Sequence, residues 1–131
     1  MGLAAAHLIL YVRDLAASRS FYAHVLDRAP RLDAPGMVEI ELGPTAVLGL
    51  MPEANIERLV GPLVAPSRLR APGRAELYLL VDDPGGCHAR ALAAGARELS
   101  PLAERDWGHV AAYSLDLDDY VLAFAASTPR S

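Results

Sequence analysis

The chain has 131 residues, 53% of them hydrophobic and 21% charged, with a formal net charge of -4 at pH 7. That length is one domain's worth, and that apolar share can bury a core, so a disordered tail is excluded. All 12 basic residues are arginine, which excludes a lysine Schiff base and a P-loop lysine, and the acidic balance argues against a phosphate-backbone binder.

In chain order, His7 to Val12 reads as an apolar strand, and Asp14 is a suitable N-cap for the helix that follows. Leu15, Ser18, Phe21, Tyr22, Val25 and Leu26 recur at helical spacing and form one packing face, which Asp27 to Pro30 brings to an end. Three strands are predicted next, near residues 30–33, 37–42 and 45–51, with Gly43-Pro44 as the turn between the last two. Residues 52–75 carry Pro52, Pro62, Pro66 and Pro72 and the arginines Arg58, Arg68, Arg70 and Arg74. They read as a basic linker without regular structure, or as a loop turning Arg68 or Arg70 toward an anionic group. A second strand starts at Glu76. Asp83 then caps a helix with Pro84 at its first position, Gly95 closing it, and Cys87, Ala91 and Ala94 as its packing stripe. Strands near 97–100, 109–115 and 120–126 complete the chain, with Asp116 to Asp119 as the last turn.

The two halves repeat. His7 to Asp14 aligns with Glu76 to Asp83, and Val47 to Leu50 aligns with Val121 to Phe124. Two copies are too few for a solenoid, and two modules that each supply part of a site fit better. The boundaries read as module one over about 5–52, a linker over about 53–74 and module two over about 75–126, within one domain spanning 1–131. Several chemistries have no motif: there is no G-x-S-x-G for a serine nucleophile and no G-x-G-x-x-G for a pyrophosphate. Cys87 reads as an inert packing residue, and His24 and His88 read as surface histidines. No apolar run reaches the roughly 20 residues that span a bilayer, and no basic signal-peptide segment precedes the first strand. The expectation is a cytoplasmic protein without nucleic-acid or membrane partners.

Two βαβββ modules, the Asp14 and Phe21-Tyr22 pattern, and the segment from Trp107-Gly-His to Phe124 resemble the vicinal oxygen chelate superfamily. That group contains glyoxalase I, bleomycin-resistance proteins and extradiol dioxygenases. The Asp-Pro-Asp-Gly-Asn turn common there is replaced here by Asp116-Leu-Asp-Asp-Tyr120. The resemblance implies an α+β fold in which the paired modules form a curled mixed sheet around a cavity. Strand parity then turns His7, Ile9, Tyr11, Val47, Gly49 and Met51 inward from module one. It turns Glu76, Tyr78, Leu80, Val121, Ala123 and Ala125 inward from module two.

Metal-dependent relatives place ligands at four such positions, which correspond to His7, Gly49, Glu76 and Ala123 in this chain. Gly49 and Ala123 have no donor, so His7 and Glu76 alone would hold a metal weakly, unless Glu53 or His109 swung in. His7 and Glu76 are instead expected to pair with each other. The family often has an arginine two residues after the glycine of its Trp-Gly; Val110 stands there here. The reading is a metal-free, cofactor-free binder of a small hydrophobic or aromatic molecule, similar to the drug-sequestering, antibiotic-resistance branch. Its ligand residues would be His7, Tyr11, Gly49, Met51, Glu76, Tyr78, Trp107, His109 and Ala123, with room left by the small side chains at 49 and 123. The alternative is a lyase, isomerase or dioxygenase of the glyoxalase type using a divalent metal ion. Small relatives commonly complete their cavities across a two-fold interface, which implies a homodimer.

Overall fold

The computed structural model describes residues 3–61 and 75–129, and the chain divides into two compact units. Each unit is an open four-stranded mixed sheet with one helix packed on it, and the first unit carries an additional short helix.

The first unit runs β1 (Ala6–Val12), α1 (Leu15–Leu26), β2 (Leu32–Ala34), β3 (Met37–Gly43), β4 (Ala46–Pro52) and α2 (Glu53–Val60), with strand order β1-β4-β3-β2. The Asp14 carboxylate accepts from Ala17 N–H at 3.0 Å, as an N-cap should. At the other end Asp27 adopts φ 54°, and the amides of Asp27 and Arg28 close onto the His24 and Ala23 carbonyls. Thus α1 stops at a left-handed cap, before Pro30 is reached. Its buried residues are Ser18, Phe21, Tyr22 and Val25, with the two rings edge-to-face at 4.9 Å. They pack on the sheet face made by Leu10, Val12, Val38, Ile40, Leu48 and Leu50, all essentially without exposed surface. A large apolar side chain buried this way contributes about 1.5–3 kcal/mol.

The linker expectation is corrected at its start. Residues 53–60 contain no proline or glycine, and Pro52 supplies an extended entry rather than a break. The segment therefore closes into α2, which packs on β1 and β4 and donates Asn55 Nδ2 to the Gly36 carbonyl at 3.0 Å. Arg58 bonds the Asn55 side chain. Arg68, Arg70 and Arg74, with Pro62, Pro66 and Pro72, lie outside the described residues.

The second unit runs β5 (Glu76–Leu80), α3 (Pro84–Ala93), β6 (Arg97–Glu104), β7 (His109–Leu115) and β8 (Val121–Ser127), in the order β5-β8-β7-β6. Asp83 caps α3 through Gly86 N–H at 3.0 Å, and Gly95 ends the connection at φ 115°. The buried residues of α3 are Pro84, His88 and Ala91; of the expected stripe Ala91 is buried, while Cys87 and Ala94 are only half-buried. Starting the helix at Pro84 sets this phase. His88 is thereby buried rather than on the surface, with Nε2 2.9 Å from Glu98 Oε2 on β6. His24 is exposed, as expected. Cys87 is half-buried, and burial pushes its thiol above the ordinary value; Arg90 lowers it and Asp83 raises it further.

The β7–β8 turn is held by Asp116, whose buried carboxylate accepts from the amides of Asp118 at 2.8 Å and Tyr120 at 3.0 Å. That explains the acidic cluster as turn chemistry rather than a calcium loop. Among the described residues, no helix is long and apolar enough to cross a membrane.

Candidate functional site

Strand pairing fixes which side chains share a face. In the first unit His7 pairs with Val47, Ile9 with Gly49 and Tyr11 with Met51 across β1–β4, while Gly49 pairs with Glu39 across β4–β3. His7, Ile9, Tyr11, Val47, Gly49, Met51 and Glu39 therefore lie on the face opposite α1, as the alternation predicts. Two details differ from the sequence reading. His7 has a carboxylate neighbour inside its own unit, Glu39, with Nδ1 3.5 Å from Oε2. Glu39 also accepts from Arg31 Nε at 2.9 Å, so this carboxylate is already compensated. Sequence reasoning did not single out Glu39, although the alternation of Met37-Val-Glu-Ile-Glu-Leu carries the signal.

The second difference concerns room. The sequence reading treats Gly49 as space for a ligand, but a Cβ there would collide with Ile9 Cδ1 and lie 3.3 Å from Met37 Sδ. Ile9, Gly49's partner on β1, has grown into the gap. Ala123 has no exposed surface either. Both small residues are packing solutions, not open volume.

In the second unit the register runs Tyr78–Ala123–Tyr113 across β5, β8 and β7, and Glu76–Val121–Leu115 one step along. Tyr78, Trp107 and His109, all predicted site residues, come together here. Trp107 Nε1–H donates to the Tyr78 hydroxyl at 3.0 Å, and the same hydroxyl lies 2.7 Å from His109 Nδ1. The Tyr78 and His109 rings stack at 5.8 Å with 25° between their planes. Trp107 is 53% exposed, a large apolar surface for solvent to cover. Leu80 lies on the same face and is 64% exposed. Beside it an open depression of about 380 Å³ is lined by Leu80, Val81, Asp82, Ala126 and Ser127. Ser127 is the register partner of His109, so the depression lies at the same end of the sheet as the aromatic cluster.

Tyr113 completes the face. Burial pushes its phenol above the ordinary value, the charges of Glu76 and Tyr78 add to that shift, and Arg105 opposes it. Arg105 places its guanidinium 5.1 Å from the centre of the Tyr113 ring. The β6–β7 register slips between Ser100 and Ala103, and Arg105 bonds the groups around that slip: Ser100 Oγ at 2.9 Å, Pro101 O at 3.0 Å and Ala111 O at 2.8 Å. Sequence reasoning missed Arg105, whose role depends on the irregular pairing and leaves no periodic trace. Glu76 is exposed at the start of β5.

Among the described residues, the positions that hold metal in related enzymes do not supply a full donor set. Of the four positions carried over from metal-dependent relatives, Gly49 and Ala123 lack donors, and Glu53 opens α2 instead of extending β4. Within the first unit the available pair is one imidazole and one carboxylate already engaged by Arg31. Within the second, His109 Nδ1 is already engaged with the Tyr78 hydroxyl. Among the described residues no group of three or more His, Cys, Asp or Glu side chains is placed to hold a metal ion.

Comparison with known proteins adds the family. The model of the Glyoxalase/Bleomycin resistance protein/Dioxygenase superfamily matches residues 4–124. Comparison with curated proteins finds no match. Among solved structures, a glyoxalase-related enzyme from Fulvimarina pelagi is similar at 26% identity and a TM-score of 0.81, over 93% of this chain and 86% of the other. A glyoxalase/bleomycin resistance protein/dioxygenase family enzyme from Burkholderia phytofirmans PsJN has a TM-score of 0.80 at 18% identity, over 93% and 97%. Lactoylglutathione lyase from Agrobacterium tumefaciens shares the fold at a TM-score of 0.68 and 19% identity, over 92% and 90%.

Proposed function

The chain belongs to the glyoxalase/bleomycin resistance protein/dioxygenase superfamily, and from that premise we propose that it is a metal-free binder of a small hydrophobic or aromatic molecule, of the sequestering kind. The observation that carries this reading is the Trp107–Tyr78–His109 cluster, an exposed indole tied by hydrogen bonds to a stacked tyrosine and histidine. A preorganised aromatic surface with a few polar atoms takes a flat molecule by burial and orients it by hydrogen bonds. The donor set argues in the same direction, because two of the four positions used for metal in related enzymes hold Gly49 and Ala123.

The ligand surface on this reading is Tyr78, Trp107, His109, Tyr113 and Leu80 in the second unit. Glu76 borders it. His7, Tyr11 and Met51 lie on the corresponding face of the first unit, with Gly49 as backbone wall there, and Ala123 is the backbone wall of the second unit's face. Elemental analysis of purified protein, paired with calorimetric titration against a panel of aromatic antibiotics and metabolites in EDTA, tests the proposal. The expected result is no stoichiometric metal and saturable binding in the chelator. One equivalent of zinc, nickel, manganese or iron, lost in His7→Ala together with binding, would replace this reading with a metal-dependent lyase, isomerase or dioxygenase.

A further inference from the structure

We infer that Tyr78 is a positioning residue that holds His109 as an Nε2–H donor, and that the molecule taken here carries a neutral carbonyl-type acceptor on its aromatic body. The inference rests on the small-molecule reading above and narrows its ligand class.

An indole N–H only donates, so the bond from Trp107 Nε1 occupies the Tyr78 oxygen as an acceptor. Tyr78 has one proton left to give. His109 Nδ1 lies 2.7 Å away, a short distance suited to O–H···N, and the stacked rings keep that nitrogen facing the hydroxyl. With the proton given to Nδ1, that nitrogen is an acceptor, and the neutral imidazole carries its own hydrogen on Nε2. Nε2 makes no hydrogen bond among the described residues, and the His109 ring is half-buried. The face therefore presents a donor of fixed direction beside exposed apolar surface from Trp107 and Leu80.

Charge selects the kind of acceptor. The carboxylates near this face are Glu76, which acts on Tyr113, Asp82 in the adjoining depression, and Asp106 beside Trp107 in the chain. The neighbouring cation, Arg105, is turned to Ser100, Pro101, Ala111 and the Tyr113 ring. Among the described residues an incoming carboxylate would meet like charge without a free counter-charge, whereas a ketone or amide oxygen would not.

The test compares acetophenone with ethylbenzene, which share a ring, carry no ionisable group at this pH and differ in the carbonyl. Calorimetry is run at pH 8.5, above the usual imidazole range. The wild type is expected to bind the ketone about tenfold more tightly. Tyr78→Phe keeps the ring stack and is expected to cut that preference to about twofold, read as the ratio of the two dissociation constants within the variant. His109→Phe is expected to abolish it. Nitrogen NMR supplies a readout that a purely structural role would not move: Nδ1 of His109 unprotonated in the wild type, and a tautomer mixture in Tyr78→Phe. Equal binding of the two probes by the wild type overturns the acceptor and leaves the aromatic reading standing. A protonated Nδ1 in the wild type overturns the positioning role. No binding of either probe at millimolar concentration overturns both readings.

Discussion

Placing glutamates at both donorless positions, in the double variant Gly49→Glu with Ala123→Glu, separates a lost metal site from a packed wall. Ala123 has no exposed surface and pairs in register with Tyr78 on one side and Tyr113 on the other. A carboxylate there is desolvated, and the nearby guanidinium of Arg105 is held by backbone carbonyls and Ser100. An uncompensated buried charge costs about 3–5 kcal/mol. At Gly49 the new side chain meets Ile9 Cδ1 and Met37 Sδ, both ends of flexible chains that can move, at an overpacking cost of about 1–3 kcal/mol. Against a typical total stability of about 5–15 kcal/mol the double variant is expected to be barely folded. Ala123→Glu alone is expected to lose about 10–20 °C in Tm. Differential scanning calorimetry with and without nickel, zinc or manganese is the assay. If the double variant keeps the parent's Tm, or a divalent ion restores it fully, the two positions open onto a metal site and the packing argument is wrong.

Other outcomes follow from single features. The phenol of Tyr113 and the thiol of Cys87 are both held above their ordinary values; groups raised on folding contribute stability that is complete below the unfolded value and fades as pH climbs through the folded one. Stability is therefore expected to fall at alkaline pH beyond the ordinary thiol and phenol values, and Arg105→Gln should move the phenol titration, followed by ultraviolet absorbance, still higher; a downward move contradicts the assignment. Asp119 sits at φ 67° in the β7–β8 turn, so Asp119→Gly should stay within about 1 kcal/mol of the parent in urea unfolding, whereas Asp119→Val should cost about 1–3 kcal/mol. Light scattering at micromolar concentration is expected to give twice the 14.0 kDa chain mass, and particles of chain mass alone would count against a homodimer.

What was legible in the sequence was what depends on neighbours in the chain. Asp14 and Asp83 before apolar helical stripes announced two caps, and both accept the expected amide. The Met37-Val-Glu-Ile-Glu-Leu alternation announced a half-buried strand, and its Val38 and Ile40 are fully buried. Helix α2 was hidden by the prolines around it, because a breaker before or after a segment says nothing of the eight residues between them. Site geometry was less legible. His7 has Glu39 as a neighbour only because β4 lies between β1 and β3, and nothing local encodes that order. His88 depends on Glu98 from the following strand, and Arg105 on a register slip. Tyr78, Trp107 and His109 were found because strand parity and the Trp-Gly motif pointed at one face. Their hydrogen bonds required the fold.

The most direct measurement uses Trp107, the single tryptophan, as the reporter of its own site. Chelator-treated protein is titrated with aromatic antibiotics and metabolites while indole fluorescence is recorded. A saturable change is expected for at least one compound, unaltered by added divalent metal and weakened about tenfold in Tyr78→Ala, which removes the ring that holds the indole. Binding that appears only after metal is restored, or saturable binding seen by calorimetry that leaves Trp107 emission unchanged, would contradict that expectation.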